Sequence, residues 1–238
     1  MEILRNIRMV GLALYLVKEK LLVISDLHLG MEEAMSRHGF LIPRFQLKDT
    51  ENRLKAIFEN NKVDTVVFNG DIKHEFGLIS RTEWLSIFKL LDFVGIYCKN
   101  VVLIKGNHDI LLEPIAKRFN IKVQDYYKVS EYFISHGDKI IDNLDFQQSK
   151  TTIIGNEHAA ISLRKSGRRE TYKCFLLGRF KDKKLIVMPS FNTMVEGTDI
   201  LKNELISPML KQDLNDFNVY VVADKVYNFG KVKDVEKL

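Results

Sequence analysis

The sequence predicts an α/β protein in which two mixed β-sheets pack face to face, with helices on their outer sides. The first half of the 238-residue chain alternates short apolar runs with segments of helical period. The second half carries closely spaced strand candidates, several of them joined by hairpins. Several apolar runs are followed directly by Asp, His or Asn, so a ligand site is expected along one rim, at the carboxyl ends of the strands.

The strands expected in the first half are short apolar runs rich in β-branched residues, at 21–24, 65–68 and 101–104. The apolar segment 9–17 before them resembles the core of a signal peptide. It is too short to span a bilayer, however, and no small-residue cleavage site follows it. We interpret 9–17 and 21–24 as two strands joined by a charged turn. No membrane or secretion signal is found, and a cytoplasmic location is expected.

Three helices are expected between and after these strands. The segment 47–60 has apolar residues at helical spacing. Ser80 and Glu83 form a capping-box pattern before a second helix. The apolar stripe of that helix includes Trp84, which we assign to core packing and not to a ligand. A third helix is predicted over 110–119.

The strand-rich second half is expected to supply most of the other sheet. No repeat, low-complexity tract or linker interrupts the sequence, so a single domain over residues 1–238 is predicted. The strand candidates lie at 126–129, 132–135, 151–154, 160–163, 172–177 and 185–188, with a last hairpin of 219–223 and 225–229.

Composition is typical of a soluble globular protein with a large core, at 46% hydrophobic and 28% charged residues. Cys98 and Cys174 lie in apolar stretches without a CxxC spacing, which predicts buried, reduced thiols. Two cysteines exclude a cysteine-rich zinc site and a disulfide scaffold. The net charge of +5 is compatible with a polyanionic partner but does not require one.

Basic residues concentrate around Ser166 and Gly167, beginning six residues after His158. One interpretation is a solvated hairpin tip, and the other is a loop that contacts phosphate, for which Arg164 and Arg168 are the candidate substrate contacts. The cluster consists of Arg164, Lys165, Arg168, Arg169 and Lys173.

Two motifs place carboxylates at the ends of the predicted strands 21–24 and 65–68. Asp26 and His28 are two residues apart, so in an extended backbone both side chains point the same way and can bind one ion. Asp71 follows a glycine, and a carboxylate at this point can bridge two cations. Carboxylates, imidazoles and amides together suit Mn, Fe, Zn or Mg better than soft metals.

The run Gly106-Asn107-His108-Asp109 comes after the third predicted strand. Asn107 offers a neutral oxygen ligand, and His108 can protonate a leaving alkoxide or stabilise charge on phosphoryl oxygens. Asp109 has two interpretations: it orients the imidazole of His108, or it is the N-cap of a helix that begins at Ile110.

The other histidines divide into two groups. His136 and His158 come directly after strand-like runs and are expected at the rim. His74, three residues past Asp71, is a candidate substrate contact at the edge of the site. His38, next to a glycine, is expected at the surface or at a helix terminus.

The order of these motifs closely resembles the calcineurin-like metallophosphoesterase superfamily, whose pattern is Asp-X-His, Gly-Asp, Gly-Asn-His-Asp/Glu, His and Gly-His-X-His. The resemblance spans about residues 21–190. Three further stretches are similar to the small single-domain phosphoesterases related to SbcD-type repair nucleases. They are Leu29-Gly30, Asp71-Ile-Lys-His-Glu-Phe76 and Pro189-Ser-Phe-Asn-Thr-Met-Val-Glu-Gly197.

The resemblance implies a four-layer sandwich and two divalent cations, with Mn as first choice and Fe, Zn or Mg as alternatives. His108 would be the catalytic histidine, and a metal-bridging hydroxide would attack phosphorus. The family usually has histidine where this chain has Asn156, which implies a looser second site. One metal would be held by Asp26, His28, Asp71 and His158, and the other by Asp71, Asn107, His136 and Asn156.

The leading function is a metal-dependent phosphodiesterase acting on nucleic acid, DNA or RNA, or on a nucleotide. A phosphatase for small monoesters or a phosphodiesterase for cyclic nucleotides fits the same residues. A third hypothesis, a weakly catalytic scaffold that binds metal or nucleic acid, rests on Asn156 alone.

Overall fold

A computed structural model describes residues 1–77, 80–165, 168–202 and 204–235, with the main chain alone at positions 165 and 168. Two mixed sheets pack face to face, which confirms the predicted α/β class. The first sheet has seven strands in chain order. They are β1 (Glu2–Leu4), β2 (Ile7–Val10), β3 (Ala13–Leu16), β4 (Leu21–Ile24), β5 (Thr65–Asn69), β6 (Asn100–Ile104) and β7 (Val123–Gln124).

The second sheet is built from the second half of the chain, in the order β14-β11-β12-β13-β10-β9-β8, with β15 paired to β12 and β16 to β15. Its strands are β8 (Tyr126–Val129), β9 (Tyr132–Ser135), β10 (Thr151–Ile154), β11 (Ala159–Lys165), β12 (Arg168–Phe180), β13 (Lys183–Val187), β14 (Thr198–Asp199), β15 (Asn218–Val222) and β16 (Val226–Lys231).

Helices cover the outer face of the first sheet, and shorter segments cover the second. The helices of the described residues are α1 (Met31–Arg37), α2 (Gln46–Asn60), α3 (Arg81–Tyr97), α4 (Glu113–Arg118), α5 (Leu144–Gln148) and α6 (Val232–Val235), with a 3₁₀ turn at Pro208–Leu210. No helix in these ranges is both long and apolar enough to cross a membrane.

The β4 strand shows why the layers form. All four of its residues are buried, and alternate side chains point to opposite faces. Leu22 and Ile24 pack with the helices, whereas Leu21 and Val23 join the layer between the sheets. A continuous apolar run is expected for a strand covered on both faces.

Most predicted elements are found within one or two residues of their expected bounds. Ser80 caps α3 as predicted, since its hydroxyl accepts from the amide of Glu83 and the Glu83 carboxylate accepts from the amide of Ser80. Trp84 packs against the core cluster under the helices. Cys98 and Cys174 are buried free thiols, and burial raises the pKa of Cys98 to about 11.

Two predictions of secondary structure were wrong in detail. The segment 9–17 is not one strand, because the chain turns at Gly11, where φ is 60°, and separates β2 from β3. The third helix begins at Glu113 and not near Ile110. Residues 109–112 instead form a turn that leaves Ile110 exposed. In both places apolar residues continue through the turn, so the sequence pattern did not indicate that a turn is present.

Candidate metal centre

Strand ends from both sheets converge at one rim. β4, β5 and β6 are parallel neighbours in the first sheet, and β9 and β10 are parallel neighbours in the second. Parallel strands end at the same edge, so the polar residues that follow them meet there. The predicted metal ligands come after β4 (Asp26, His28), β5 (Asp71), β6 (Asn107), β9 (His136) and β10 (His158).

Four of these residues form a compact ligand cluster. One ligand atom from each of Asp26, His28, Asp71 and His158 lies within 4.8 Å of the other three. The Nε2 atoms of His28 and His158 face each other at 3.1 Å, and Nε2 of His158 is 3.4 Å from Oδ1 of Asp26. Two imidazole nitrogens and two carboxylates around one point fit a divalent transition-metal ion.

A second group meets at the other side of Asp71. Nε2 of His136 lies 3.1 Å from Oδ1 of Asn107 and 3.3 Å from Oδ2 of Asp71. Nδ1 of His136 lies 3.0 Å from the carbonyl oxygen of Asn69. A proton on Nδ1 directed at this carbonyl leaves Nε2 as the atom available to a cation, which is the usual arrangement of a metal-binding histidine.

Asp71 connects the two groups. Its Oδ2 atom is 3.7 Å from Nε2 of His28 and 3.3 Å from Nε2 of His136. Its Oδ1 atom accepts a hydrogen bond of 2.9 Å from the amide of His108. One carboxylate therefore faces both predicted ion positions.

Electrostatics keep the carboxylates ionised. Burial opposes their charge, yet the neighbouring charge of His158 lowers the pKa of Asp26, and the hydrogen bond with His136 lowers the pKa of Asp71. Against the effect of burial, Asp71 and Asp26 raise the pKa of His136 to about 10. Burial and the charge of His158 lower the pKa of His28 to about 3. The two ionised carboxylates of Asp26 and Asp71 are therefore available as anionic oxygen ligands for a cation.

The backbone at the centre is held in unusual conformations. Non-glycine residues with positive φ are uncommon, and strain of this kind gathers at functional sites. Short turns directly after the strands impose it and direct the side chains into the rim. Asp26, His28, Asp71, Asn156 and His158 have φ values of 57°, 46°, 50°, 60° and 52°.

Asp109 has neither of its two predicted roles, which were to orient the imidazole of His108 and to cap a helix. Its carboxylate accepts hydrogen bonds from the amides of Ile72 (3.1 Å), Lys73 (3.3 Å) and Gly106 (3.0 Å). It is not the N-cap of a helix, because α4 begins only at Glu113. Burial, followed by the charge of Asp71, raises its pKa to about 6. Asp109 thus fastens the loop after β5 to the loop after β6.

The imidazole of His108 is oriented by a main-chain carbonyl. Its Nδ1 atom is hydrogen-bonded to the carbonyl oxygen of His74, and its Nε2 atom is 3.8 Å from Oδ2 of Asp71. The ring of Phe76 packs on it with the two centroids 3.6 Å apart. Sequence reasoning missed this contact, although Phe76 lies in one of the stretches that carried the family resemblance.

Asn156 contacts the centre through its main chain, and His74 lies at the edge of the centre. The buried main-chain amide of Asn156 donates to both carboxylate oxygens of Asp26 at 3.2 Å. That the side chain of Asn156 binds a metal stays a prediction. His74 lies at the edge of the centre, its ring centroid 5.6 Å from that of His28. Its role as a substrate contact also stays a prediction.

The residues of the basic cluster that begins at Arg164 differ in their exposure and in their hydrogen-bond partners. Arg164 is exposed on β11, about 20 Å along the strand from His158, which is beyond reach of a phosphate at the metals. The side chain of Arg168 lies outside the described residues. Arg169 pairs with Asp199 at 2.5 Å. Nζ of Lys173 donates to the carbonyl oxygens of two residues near the centre, Ser190 and Asn192.

The segment 189–194 is hydrogen-bonded to the main chain of the residues around Asp26. The hydroxyl of Ser190 donates to the carbonyl oxygen of Asp26 at 2.7 Å, and the amide of Phe191 donates to the carbonyl oxygen of Ser25 at 2.9 Å. Sequence reasoning missed this role, because the partners are more than 160 residues apart. Contacts over such a separation leave no signal in local spacing.

The chain is similar to known proteins in its sequence profile and in its fold. The sequence profile of the calcineurin-like phosphoesterase family matches residues 19–223. No protein of curated function matches the chain significantly in sequence. Among solved structures, the Pseudomonas putida nuclease MPE superimposes with a TM-score of 0.65 at 17% identity, over 92% of each chain.

Two further structures are more distant. The phosphoesterase YfcE of Escherichia coli gives a TM-score of 0.41 at 14% identity, over 89% of this chain and 97% of its own. Vps29 of Chaetomium thermophilum gives 0.39 at 13% identity, over 85% of this chain and 81% of its own.

Proposed function

The chain belongs to the calcineurin-like phosphoesterase family and is a metal-dependent hydrolase, and on this premise we propose that it cleaves a phosphodiester bond in a nucleic acid or nucleotide. The observation that carries the proposal is the position of Asp71. Its Oδ2 atom faces Nε2 of His28 at 3.7 Å and Nε2 of His136 at 3.3 Å, so one carboxylate serves two ligand groups.

We assign two divalent cations to the centre, with Mn²⁺ as first choice. When bound, two such cations neutralise phosphoryl oxygens and activate a water for in-line attack on phosphorus. The contacts divide the ligand residues into two sets that share Asp71. Asp26, His28, Asp71 and His158 would hold one cation, and Asp71, Asn107, His136 and Asn156 would hold the other.

His108 assists the departure of the leaving group. The carbonyl of His74 fixes its Nδ1 atom, so Nε2 is the atom turned toward the centre. A proton on Nε2 is positioned for transfer to the leaving oxygen, which is general acid catalysis. Phe76 packs on one face of the ring and restricts its orientation.

Two observations favour nucleic acid over small monoesters. The net charge of +5 attracts polyanions. The Pseudomonas putida protein with the same fold is described as a nuclease. A contact between Arg164 and a distant phosphate of a polymer is compatible with its place on β11, whereas a small substrate at the metals is too short to reach it.

The test is hydrolysis of bis-p-nitrophenyl phosphate with added Mn²⁺, followed by a panel of DNA, RNA, cyclic nucleotides and phosphomonoesters. We expect diester cleavage that His108→Ala lowers by about 10²–10⁴-fold while Mn²⁺ binding persists. Asp71→Asn should lose both. The matched control is His38→Ala, because His38 is an exposed histidine at the end of α1, outside the centre.

Three outcomes contradict the proposal. Activity of His108→Ala equal to that of the parent refutes the role of His108. Hydrolysis of monoesters alone would replace the diesterase with a phosphatase. Mn²⁺ binding without hydrolysis of any member of the panel would favour the scaffold hypothesis.

A further inference from the structure

Phe76 presents an exposed aromatic ring at the edge of the metal centre. It lies in the loop between β5 and α3 and is 56% exposed. Its ring centroid is 3.6 Å from that of His108, and the two ring planes are inclined at 32°. None of the three hydrophobic core clusters of the described residues includes Phe76. Because so exposed a ring gains only part of the benefit of burial, packing alone does not account for a phenylalanine here.

The loop that carries Phe76 is held in place by its neighbours. The carboxylate of Glu83 accepts from the amides of His74 and Glu75, at 3.1 and 2.9 Å. The carboxylate of Glu75 in turn pairs at 3.1 Å with the guanidinium of Arg37, the last residue of α1. The two residues that precede Phe76 are therefore fixed. A ring that is positioned before the substrate arrives binds it at a lower cost in conformational entropy.

His108 connects Phe76 to the reacting atoms. Its ring meets that of the metal ligand His28 edge-on, with the centroids 4.7 Å apart, and its Nε2 atom is 3.8 Å from Oδ2 of Asp71. In the proposed reaction, water supplies the new oxygen on phosphorus, the bond to the leaving oxygen breaks, and that oxygen takes the proton from Nε2. The group bonded to the leaving oxygen thus departs beside His108, where Phe76 is the more exposed of the two rings.

The ring of Phe76 suits a flat aromatic group. A phenyl ring has no hydrogen-bonding atom and therefore cannot hold a phosphate or a sugar hydroxyl through a conventional hydrogen bond. Nucleobases stack on aromatic side chains, and the contact tolerates any base because each has a π-face. Within a duplex the neighbouring base pairs cover both faces, so a base must be unpaired or taken out of the stack to make this contact.

We propose that Phe76 stacks on the base of the leaving nucleoside and is a specificity-determining residue of the diesterase. This role rests on the proposed phosphodiesterase reaction and narrows its substrate to a nucleic acid or nucleotide whose leaving group carries an unpaired base. A Phe76 that only orients His108 would affect every diester alike, whatever its leaving group carries. The dependence of cleavage on the base therefore separates the two roles.

The test is steady-state cleavage of three thymidine dinucleotides with Mn²⁺, each containing one phosphodiester bond. The first has both bases, and in each of the others an abasic tetrahydrofuran replaces one of the two nucleosides. The products identify the leaving nucleoside, because it is released without phosphate. In the parent, loss of the leaving base should lower kcat/KM about tenfold or more, whereas loss of the other base should lower it less than about threefold.

Two variants of Phe76 show whether its ring causes the dependence on the base. Phe76→Leu keeps an apolar side chain without an aromatic face, and it should reduce the effect of the leaving base to less than about threefold. Phe76→Trp keeps a face for stacking and should preserve the effect. The matched control is Tyr97→Leu, because Tyr97 is also an exposed ring stacked on another ring, that of Phe58, but lies at the far end of α3. It should keep the full effect.

Three results would overturn the role of Phe76 and leave the phosphodiesterase standing. The first is equal cleavage by the parent with and without the leaving base. The second is a loss in Phe76→Leu that is the same for all three dinucleotides, since Phe76 would then only orient His108. The third is a full base effect in Phe76→Leu, which would place the base on another residue. Cleavage of none of the dinucleotides by the parent would instead contradict the proposed phosphodiesterase, and the role of Phe76 with it.

Discussion

The ligand residues owe their positions to the short turns that leave the carboxyl end of each strand. Asp26, His28 and Asp71 could be identified from the sequence because each comes closely after a buried strand. Their left-handed backbone could not be foreseen, since the residue pattern that marks the end of a strand does not fix φ in the turn that follows. Asn156 shares this conformation, and asparagine and histidine both tolerate it better than most residues.

Replacement of Asn156 by histidine tests whether position 156 contributes a ligand. Because imidazole is a better donor to Zn²⁺ than an amide oxygen, we expect the second equivalent of Zn²⁺ to bind about tenfold more tightly, or about 1.4 kcal/mol. Calorimetric titration measures this, with Asn156→Ala as the control. Identical Zn²⁺ affinities in parent, Asn156→His and Asn156→Ala would show that the side chain takes no part.

Lys173 predicts a pH dependence of stability. Its pKa of about 7 in the folded protein lies below the ordinary value of 10.5, because burial disfavours the charge. Between these two values the unfolded chain binds more protons than the folded chain does. The free energy of unfolding should therefore gain a favourable contribution from Lys173 as pH rises from about 7 to 10.

Urea unfolding of the parent and of Lys173→Met at pH 7 and pH 9.5 checks this contribution. The parent should be stabilised by the increase in pH relative to the variant. Equal changes in the two proteins would mean that the amine of Lys173 is protonated in the fold throughout this range.

At the scale of elements, the turns after the strands decide whether the side chains meet. The capping box of α3 was predictable from four adjacent residues, but its further effect was not. The carboxylate of Glu83 also accepts from the amides of His74 and Glu75, at 3.1 and 2.9 Å, so the start of α3 holds the loop that orients His108. The late start of α4 was missed because Asp109 bonds to loop amides instead of to a helix.

Gly106 is the element-scale test, since the turn after β6 passes directly over Asp71. A Cβ at Gly106 would lie 2.1 Å from Oδ1 of Asp71, so Gly106→Ala must displace either the carboxylate or the turn. We expect diesterase activity to fall about a hundredfold, since small misplacements of a reacting group have effects of this size. Metal titration and steady-state kinetics measure the loss.

The matched control for Gly106 is Gly95 in α3, where an added Cβ meets nothing within 4 Å. Gly95→Ala should leave activity unchanged and stabilise the protein by about 0.5–1 kcal/mol, because alanine is the better helix former. Full activity in Gly106→Ala would mean that the turn adapts and that the position of Asp71 is not set by it.

At the scale of the molecule, the centre is assembled across the interface of two sheets. Asp26, His28 and Asp71 belong to the first sheet, and His136 and His158 to the second. Strand–helix alternation and strand density predicted that two sheets pack together. The pairing of β12 with β11, β13 and β15 depends on residues far apart in sequence, so local patterns did not reveal it.

Because the ligands come from both sheets, bound metal should fasten one sheet to the other and resist unfolding. A cation that binds only the folded chain stabilises it by about 2.7 kcal/mol when present at a hundredfold excess over its Kd. Urea unfolding with Mn²⁺ and with a chelator should show at least this difference in the parent. Asp71→Asn should lose most of it, because Asp71 faces both ion positions.

Asp125→Asn, a change in an exposed carboxylate paired with Lys139, should keep the full difference. An equal effect of Mn²⁺ on the parent and on Asp71→Asn would place the stabilising ion somewhere other than between the sheets.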